Sequence, residues 1–132
     1  MIRINQRDPI GWDREKKARS AGLRTFPLVA MASCGFVQAS ENLLVHSPDG
    51  MAKVIEGLIT GIGFIGGGAI LKQGTTVLGT ATAASLWATG AIGVSVGLGS
   101  YDVAITVAVF TFLTLKLLPL VKDDEESGDK KD

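Results

Sequence analysis

The sequence has one cysteine, one histidine and little charge in its middle, and each shortage excludes a class of protein. A single cysteine, Cys34, cannot form a disulfide within the chain. The one histidine, His46, has no neighbouring ligand motif of the kind that a zinc site requires. The 13 basic and 13 acidic side chains balance, which argues against a general nucleic-acid binder because phosphate recognition requires a basic face.

The charges are concentrated at the two ends of the chain. Residues 1–24 carry seven basic and three acidic side chains, residues 122–132 carry three basic and six acidic ones, and the 97 residues between them carry seven charges in all. A soluble domain needs a largely polar surface. We therefore expect a basic cytoplasmic segment over 1–24, a membrane domain over 25–121 and a disordered charged tail over 122–132.

Four segments are apolar enough, over about 20 residues each, to cross about 30 Å of hydrocarbon. They run from about Thr25 to Leu44, Val54 to Leu71, Val77 to Leu98 and Val103 to Val121. The sequence therefore predicts an all-α membrane protein with about four transmembrane helices. The alternative, a small soluble bundle, fits less well because the last two segments are apolar on every side.

The basic residues before the first segment place that end on the cytoplasmic side, where Lys and Arg are retained. With four crossings both ends lie inside. Residues 45–53 then form an outer loop, residues 72–76 an inner loop and residues 100–102 a tight outer turn.

Twelve of the 17 glycines lie between residues 57 and 99. Pairs that are four residues apart form helix faces on which two backbones can approach closely. We therefore expect the second and third segments to pack through glycine, with Thr and Ser hydroxyls supplying interhelical hydrogen bonds. The residues predicted at such contacts are Gly57, Gly61, Gly63, Gly66, Gly67, Gly68, Thr82, Trp87, Gly93 and Gly97.

The run of three glycines at 66–68 predicts local unwinding, because each helical glycine costs about 1 kcal/mol relative to alanine. Unwound backbone at membrane depth is tolerated only against protein or a water-filled cavity, so the run is a candidate lining of a small site. The alternative is backbone contact with Trp87 or with a neighbouring subunit. Residues 61–66 also match the dinucleotide pattern G-x-G-x-x-G, but no acidic residue follows before Asp102, so the pattern does not indicate a nucleotide site.

Two carboxylates are predicted at the outer surface. We expect Glu56 in the first turn of the second helix, where the helix dipole favours a negative charge, and Asp102 between the third and fourth helices. Together they are a candidate magnesium site, because Mg²⁺ takes oxygen ligands and keeps several waters. Two solvated interfacial acids are the alternative, and no other cofactor is expected.

Three blocks of the sequence resemble the MgtC/SapB family of bacterial inner-membrane proteins. They are GWDRE at 11–15 with AGLRT at 21–25, GLITGIGFIGGGAI at 57–70, and TAASLW at 82–87. The resemblance covers about residues 11–121. It implies a multi-pass protein of the bacterial inner membrane with about five helices, linked to adaptation to low magnesium and regulating other membrane proteins rather than acting as an enzyme.

The sequence departs from the family pattern in two ways. The apolar helix that precedes the first block in the family is absent from residues 1–10, so we expect four helices here instead of five. Ala81 and Ala88 stand where the virulence members have Asn and Cys, which indicates a general family member. Glu56 also stands where the family more often has Gln.

Arg14, Glu15 and Arg24 belong to the matched blocks and are candidates for a cytoplasmic cluster that fixes the N-terminal segment against the bundle. The alternative is an ordinary basic flank.

Two functions remain in competition. The leading hypothesis is a non-enzymatic accessory or regulatory protein in the lipid bilayer that binds other membrane proteins through helix faces, with a homo-oligomer left open. Its alternative is a small cation transport or channel subunit lined by the glycine run and nearby hydroxyls. The sequence shows no nucleophile paired with a base and no metal cluster of the kind that an enzyme requires.

Overall fold

The computed structural model describes residues 24–128 of the chain. They form four helices and one two-stranded hairpin, and the prediction of a mainly helical chain is confirmed. The elements are α1 (Thr25–Leu44), α2 (Pro48–Gly68), β1 (Leu71–Gln73), β2 (Thr76–Leu78), α3 (Thr80–Gly97) and α4 (Tyr101–Gly128). Helix α4 therefore continues past residue 121, where we expect the membrane domain to end.

Helix α2 begins six residues before its predicted start. The N–H of Gly50 donates a hydrogen bond of 3.2 Å to the Ser47 hydroxyl, Pro48 occupies the first helical position and Asp49 lies in the first turn. This combination of cap, proline and acidic residue is a strong start signal. The predicted extent of the loop, residues 45–53, is therefore wrong, since three residues connect α1 to α2.

The prediction that Glu56 lies in the first turn of a helix is also wrong, because Glu56 is the ninth residue of α2.

The connection between α2 and α3 is a β-hairpin where a loop was expected. Leu71 pairs with Leu78, and Lys72 pairs with Val77. The turn contains Gly74 at φ 62°, a left-handed conformation that suits glycine in a two-residue hairpin turn. All residues of both strands are exposed.

The glycine run at the end of α2 is helical throughout. Helix α2 continues to Gly68, so the predicted local unwinding at 66–68 is wrong. The helix ends directly afterwards in a tighter turn, in which the N–H of Ala69 donates to the carbonyl of Gly66 at 3.0 Å.

Helix α3 is central and packs against α1, α2 and α4. Its contact with α1 is parallel. A Cβ built on Gly93 would meet the carbonyl oxygen of Ala30, and one built on Gly97 would lie 2.9 Å from the Cβ of Val37. Residue numbers therefore rise in the same direction along both helices.

Helix α2 runs antiparallel to α3. A Cβ built on Gly90 would meet the side chain of Ile62, and one built on Gly66 would lie 3.4 Å from the carbonyl oxygen of Ala83. As the α2 number rises from 62 to 66, the α3 number falls from 90 to 83. Helices α1, α2 and α3 thus alternate in direction, as successive membrane crossings do.

The end of the bundle near Gly97 carries a projecting hairpin, residues 38–54. Val37 is level with the end of α3, and α1 continues seven residues further, about 10 Å. Ile62 faces Gly90, so Ile55, seven residues earlier in α2, is also level with Gly97. The projecting hairpin is rich in polar residues. They are Gln38, Ser40, Glu41, Asn42, His46, Ser47, Asp49 and Lys53.

The buried core of the described chain is small, and many large apolar side chains face outward. The buried hydrophobic residues are Val29, Val37, Ile62, Leu86 and Ala104. Outward-facing Phe110 and Phe112 on α4 are 66% and 60% exposed, and Phe64 on α2 is 85% exposed. Among the described helices, α2 is the one that is both long and apolar enough to cross a membrane, so four transmembrane helices are not confirmed by that measure.

Candidate functional site

An apolar groove lies between α1 and α2 and has a volume of about 700 Å³. Small residues contribute to both of its walls, Ala32 and Ser33 from α1 and Gly57 and Gly61 from α2. A Cβ built on either glycine would meet no atom within 4 Å. These two glycines therefore keep the groove open instead of bringing α1 and α2 into contact. The remaining lining is Thr25, Leu28, Val29, Phe36, Ser40, Val54, Leu58, Ile62 and Ile65.

A smaller cavity of about 370 Å³ lies between the end of α2 and the start of α3. Gly63, Gly66 and Gly67 line it from α2, and the half-exposed ring of Trp87 lines it from α3. The structure thus brings the glycine run and Trp87 to one place. Ile70, Ala83 and Ala84 complete the lining.

The residues predicted at glycine contacts fall into two groups. Gly66, Gly93 and Gly97 are buried and lie against another helix, so that an added Cβ would meet Ala83, Ala30 or Val37. For Gly57, Gly61, Gly63, Gly67 and Gly68 no atom lies within 4 Å of the position that a Cβ would take. Their role in packing the second segment against the third stays a prediction. Thr82 is half-buried.

One close contact, Gly90 against Ile62, is missing from the sequence prediction. Leu86, Gly90, Gly93 and Gly97 are all buried and follow one another at spacings of four, three and four residues. This spacing defines one helix face. A search for glycines four residues apart finds Gly93 with Gly97 but misses Gly90, which is three residues before Gly93. Gly90 nevertheless lies on the same buried face of the helix.

Glu56 and Asp102 lie at the same end of the bundle. Glu56 is level with the end of α3, and Asp102 follows that end by five residues in the first turn of α4. Helices α2 and α4 each pack against α3. The described residues contain no group of three or more side chains suited to a metal ion. The magnesium pair therefore stays a prediction.

Arg24 is exposed and occupies the N-cap position of α1 without a side-chain hydrogen bond to the helix. Arg14 and Glu15 lie outside the described residues, so the predicted cytoplasmic cluster stays a prediction.

Helix α2 also has an exposed face, the third face, whose two glycines lie beside the cavity shared with α3. It carries all three charged residues of the helix together with a threonine and two glycines: Asp49, Lys53, Glu56, Thr60, Gly63 and Gly67. Every one of these residues is exposed. The Thr60 hydroxyl donates to the carbonyl oxygen of Glu56 at 2.9 Å, so its donor is satisfied within its own helix.

Comparison with known proteins identifies the family. The model of the MgtC family matches residues 9–123, which is most of the chain. The chain belongs to the MgtC family. The predicted MgtC/SapB resemblance is thereby confirmed, and the matched range includes the α1–α2 groove, the smaller cavity and the third face of α2.

Individual relatives agree with this assignment. Protein MgtC of Salmonella typhimurium strain LT2 is 39% identical over 100 residues, which cover 76% of this chain and 42% of that protein. Protein MgtC of Brucella abortus is 41% identical over 114 residues, covering 86% and 47%. The protein named "Putative magnesium transporter YhiD" in Escherichia coli K12 is 36% identical over 114 residues, covering 82% and 53%.

The chain thus spans about half the length of the curated relatives it matches. No solved structure gives a significant match to it.

Proposed function

We propose that the chain is a multi-pass protein of the bacterial inner membrane that binds a transmembrane helix of another membrane protein in the α1–α2 groove. The role proposed for that complex is regulatory and linked to adaptation to low magnesium. The observation that carries the proposal is the groove itself, because its walls are mainly apolar and a Cβ on either of its glycines would meet no atom within 4 Å.

Membrane placement is supported by the surface of the described chain. The four helices contain 20, 21, 18 and 28 residues, which correspond to lengths of about 27 to 42 Å. Bulky apolar side chains on α1, α2 and α4 face outward, where water would be unfavourable and lipid is not. We place the outer surface near the end of α3, so that the polar projecting hairpin lies outside the bilayer.

A helix suits the groove better than an irregular segment does, because buried backbone at membrane depth must satisfy its own hydrogen bonds. Helices associate in lipid through small residues that allow close approach. Ala32 and Ser33 on one wall and Gly57 and Gly61 on the other supply such residues.

The test fills the groove without disturbing the fold. Gly61→Leu places a side chain in open space, and Gly35→Leu does the same on α1 outside the groove lining, so Gly35→Leu is the matched control. A photoreactive residue at Ala32 reports what occupies the groove in living cells. We expect cross-links to a transmembrane segment of another protein that are lost with Gly61→Leu and kept with Gly35→Leu.

Growth in low-magnesium medium gives the second readout. A strain that lacks the chain should be supported by wild type and by Gly35→Leu but not by Gly61→Leu, with equal amounts of all three in the membrane fraction. Growth with Gly61→Leu equal to growth with wild type would contradict the groove proposal.

Cation transport is the second candidate function. It is favoured by the name of the Escherichia coli relative and by the cavity that Gly63, Gly66, Gly67 and Trp87 line. Purified chain in liposomes would be assayed for magnesium flux. Reproducible magnesium flux that is lost in Glu56→Ala would show that the chain transports the ion and would contradict the accessory role.

A further inference from the structure

The cavity between α2 and α3 is short and lies at the surface of the bundle. Its walls are residues 63–67 of α2 and residues 83–87 of α3, which is about one turn of each helix. The α1–α2 groove, in contrast, extends from Thr25 to Ser40 along α1, about four turns. A transmembrane helix needs a long contact of the second kind, whereas the short cavity suits one flexible apolar chain.

The cavity runs into the bundle from the β-hairpin end. Gly66 faces Ala83, and Gly63 and Trp87 lie about one turn further from the hairpin. Ile70 follows the end of α2 and lines the end of the cavity that is nearest the hairpin. The indole ring of Trp87 is 53% exposed and forms a flat apolar wall. An apolar chain that enters beside the hairpin therefore runs along this ring and across the exposed glycine backbone.

Lys72 lies at the hairpin end of the cavity and is exposed. It follows Ile70 by two residues, so their Cα atoms are at most about 7 Å apart. It is the one charged residue between Glu56 and Asp102 in the sequence. The acidic residues whose side chains the structure describes all lie at the opposite end of the bundle: Glu41, Asp49, Glu56 and Asp102.

We infer that the cavity binds one acyl chain of an anionic phospholipid of the inner leaflet, with the lipid phosphate at Lys72. In the proposed membrane placement the β-hairpin lies at the cytoplasmic surface, where anionic headgroups attract lysine and arginine. An apolar cavity beside a lysine matches both parts of a phospholipid, whereas a free anion would leave the cavity unfilled. The inference rests on the proposed membrane placement and is independent of the α1–α2 groove and of its partner.

The experiment uses Trp87 as a built-in reporter. The chain contains two tryptophans, so Trp12→Phe leaves Trp87 as the one fluorescent indole, in the wall of the cavity. The full chain with this change is reconstituted in phosphatidylcholine vesicles that contain a minor fraction of a lipid with brominated acyl chains, which quench an indole at close range. We expect brominated phosphatidylglycerol to quench Trp87 about fivefold more per lipid than brominated phosphatidylcholine, the preference that one lysine gives for an anionic lipid.

Lysine variants test the position of the phosphate. Lys72→Gln should remove the preference for phosphatidylglycerol, and Lys72→Arg should keep it, because arginine retains the charge. Lys53→Gln is the matched control, since Lys53 is also an exposed lysine of this chain but lies at the other end of α2. A preference that Lys72→Gln leaves intact, or that Lys53→Gln removes as well, would contradict a phosphate site at Lys72.

Glycine variants test the cavity. Gly67→Leu places a side chain in the cavity and Gly68→Leu places one beside it, and an added Cβ meets no atom within 4 Å at either position. Quenching by brominated phosphatidylglycerol should fall with Gly67→Leu to the level that brominated phosphatidylcholine gives, and it should persist with Gly68→Leu. Quenching that Gly67→Leu leaves unchanged would show that the acyl chain passes outside the cavity.

Two further outcomes would overturn the inference. Equal quenching by the two brominated lipids would do so, because a lysine that pairs with an acidic residue of the chain itself does not select a headgroup. Reversal of the quenching by excess inorganic phosphate would show that Lys72 binds a free anion. A chain that does not float with the vesicles would instead show that the membrane placement is wrong, so the two failures are distinguishable.

Discussion

Gly93 shows how the absence of one methyl group sets the distance between two helices. Alanine normally favours a helix over glycine by about 1 kcal/mol. At Gly93 a Cβ would overlap the backbone oxygen of Ala30 and lie 2.9 Å from the Cβ of Ser33, so α1 would have to move away. At Gly35 on α1 a Cβ meets nothing. The same substitution therefore has opposite expected effects at the two sites.

We expect Gly93→Ala to lower the stability of the folded chain by about 1–3 kcal/mol, the usual cost of overpacking. Gly35→Ala should raise it by up to about 1 kcal/mol. Thermal unfolding of both variants in the same detergent measures the difference. Shifts of the same sign would contradict the close approach of α1 and α3.

At the level of single residues, the sequence predicts that glycine makes the close contacts between helices. It predicts correctly only some of the glycines that do so. Gly93 and Gly97 are at a contact, as the spacing of four indicates. Gly57 and Gly61 have the same spacing and no neighbour, because spacing along one helix does not say which helix lies opposite. The partner of a glycine is a property of the three-dimensional packing.

At the level of elements, Gly79 determines how the hairpin joins α3. It has φ 85°, and a Cβ there would overlap the carbonyl oxygen of Ala69 at the end of α2. Gly74 in the hairpin turn also has positive φ, at 62°, but no atom lies near the position of its Cβ. The two glycines therefore share a conformation and differ in their surroundings.

Gly79→Ala should destabilise the chain by more than the roughly 1–2 kcal/mol that a left-handed alanine costs, because the overlap adds to the strain. Gly74→Asn should cost less than Gly79→Ala, since asparagine tolerates positive φ better than alanine does and its Cβ has room. Limited proteolysis of the hairpin together with thermal unfolding checks both. Equal tolerance of the two substitutions would show that Gly79 does not lie against the end of α2.

The element boundaries show what sequence patterning captures. Helix α1 spans the predicted segment from Thr25 to Leu44. Helix α2 begins at Pro48 instead of Val54 because the cap at Ser47 continues the helix into polar sequence. Hydropathy detects the apolar part of a helix, whereas the hydrogen bonds at its N-terminus determine where it begins.

At the level of the whole molecule, the central position of α3 could not be predicted from the sequence. The sequence indicates contact between consecutive segments, and the contact of α2 with α3 agrees with that. The parallel contact of α1 with α3 joins helices that are separated by 35 residues, through Gly93, Gly97 and the buried Val37. Hydropathy patterns and local spacing contain no information on such a pairing.

The alternating directions of α1, α2 and α3 give the topology a direct test. The projecting hairpin and the β-hairpin lie at opposite ends of α2, and His46 and Thr75 are exposed at these two ends. In the proposed arrangement His46 lies outside the cell and Thr75 inside, because the basic residues before α1 are retained in the cytoplasm.

In a Cys34→Ser background, His46→Cys should therefore react with a membrane-impermeant maleimide on intact cells. Thr75→Cys should react only after the cells are permeabilised, and both variants should react equally in detergent. The reverse pattern would invert the orientation, and labelling of both on intact cells would show that α2 does not separate the two sides of a membrane.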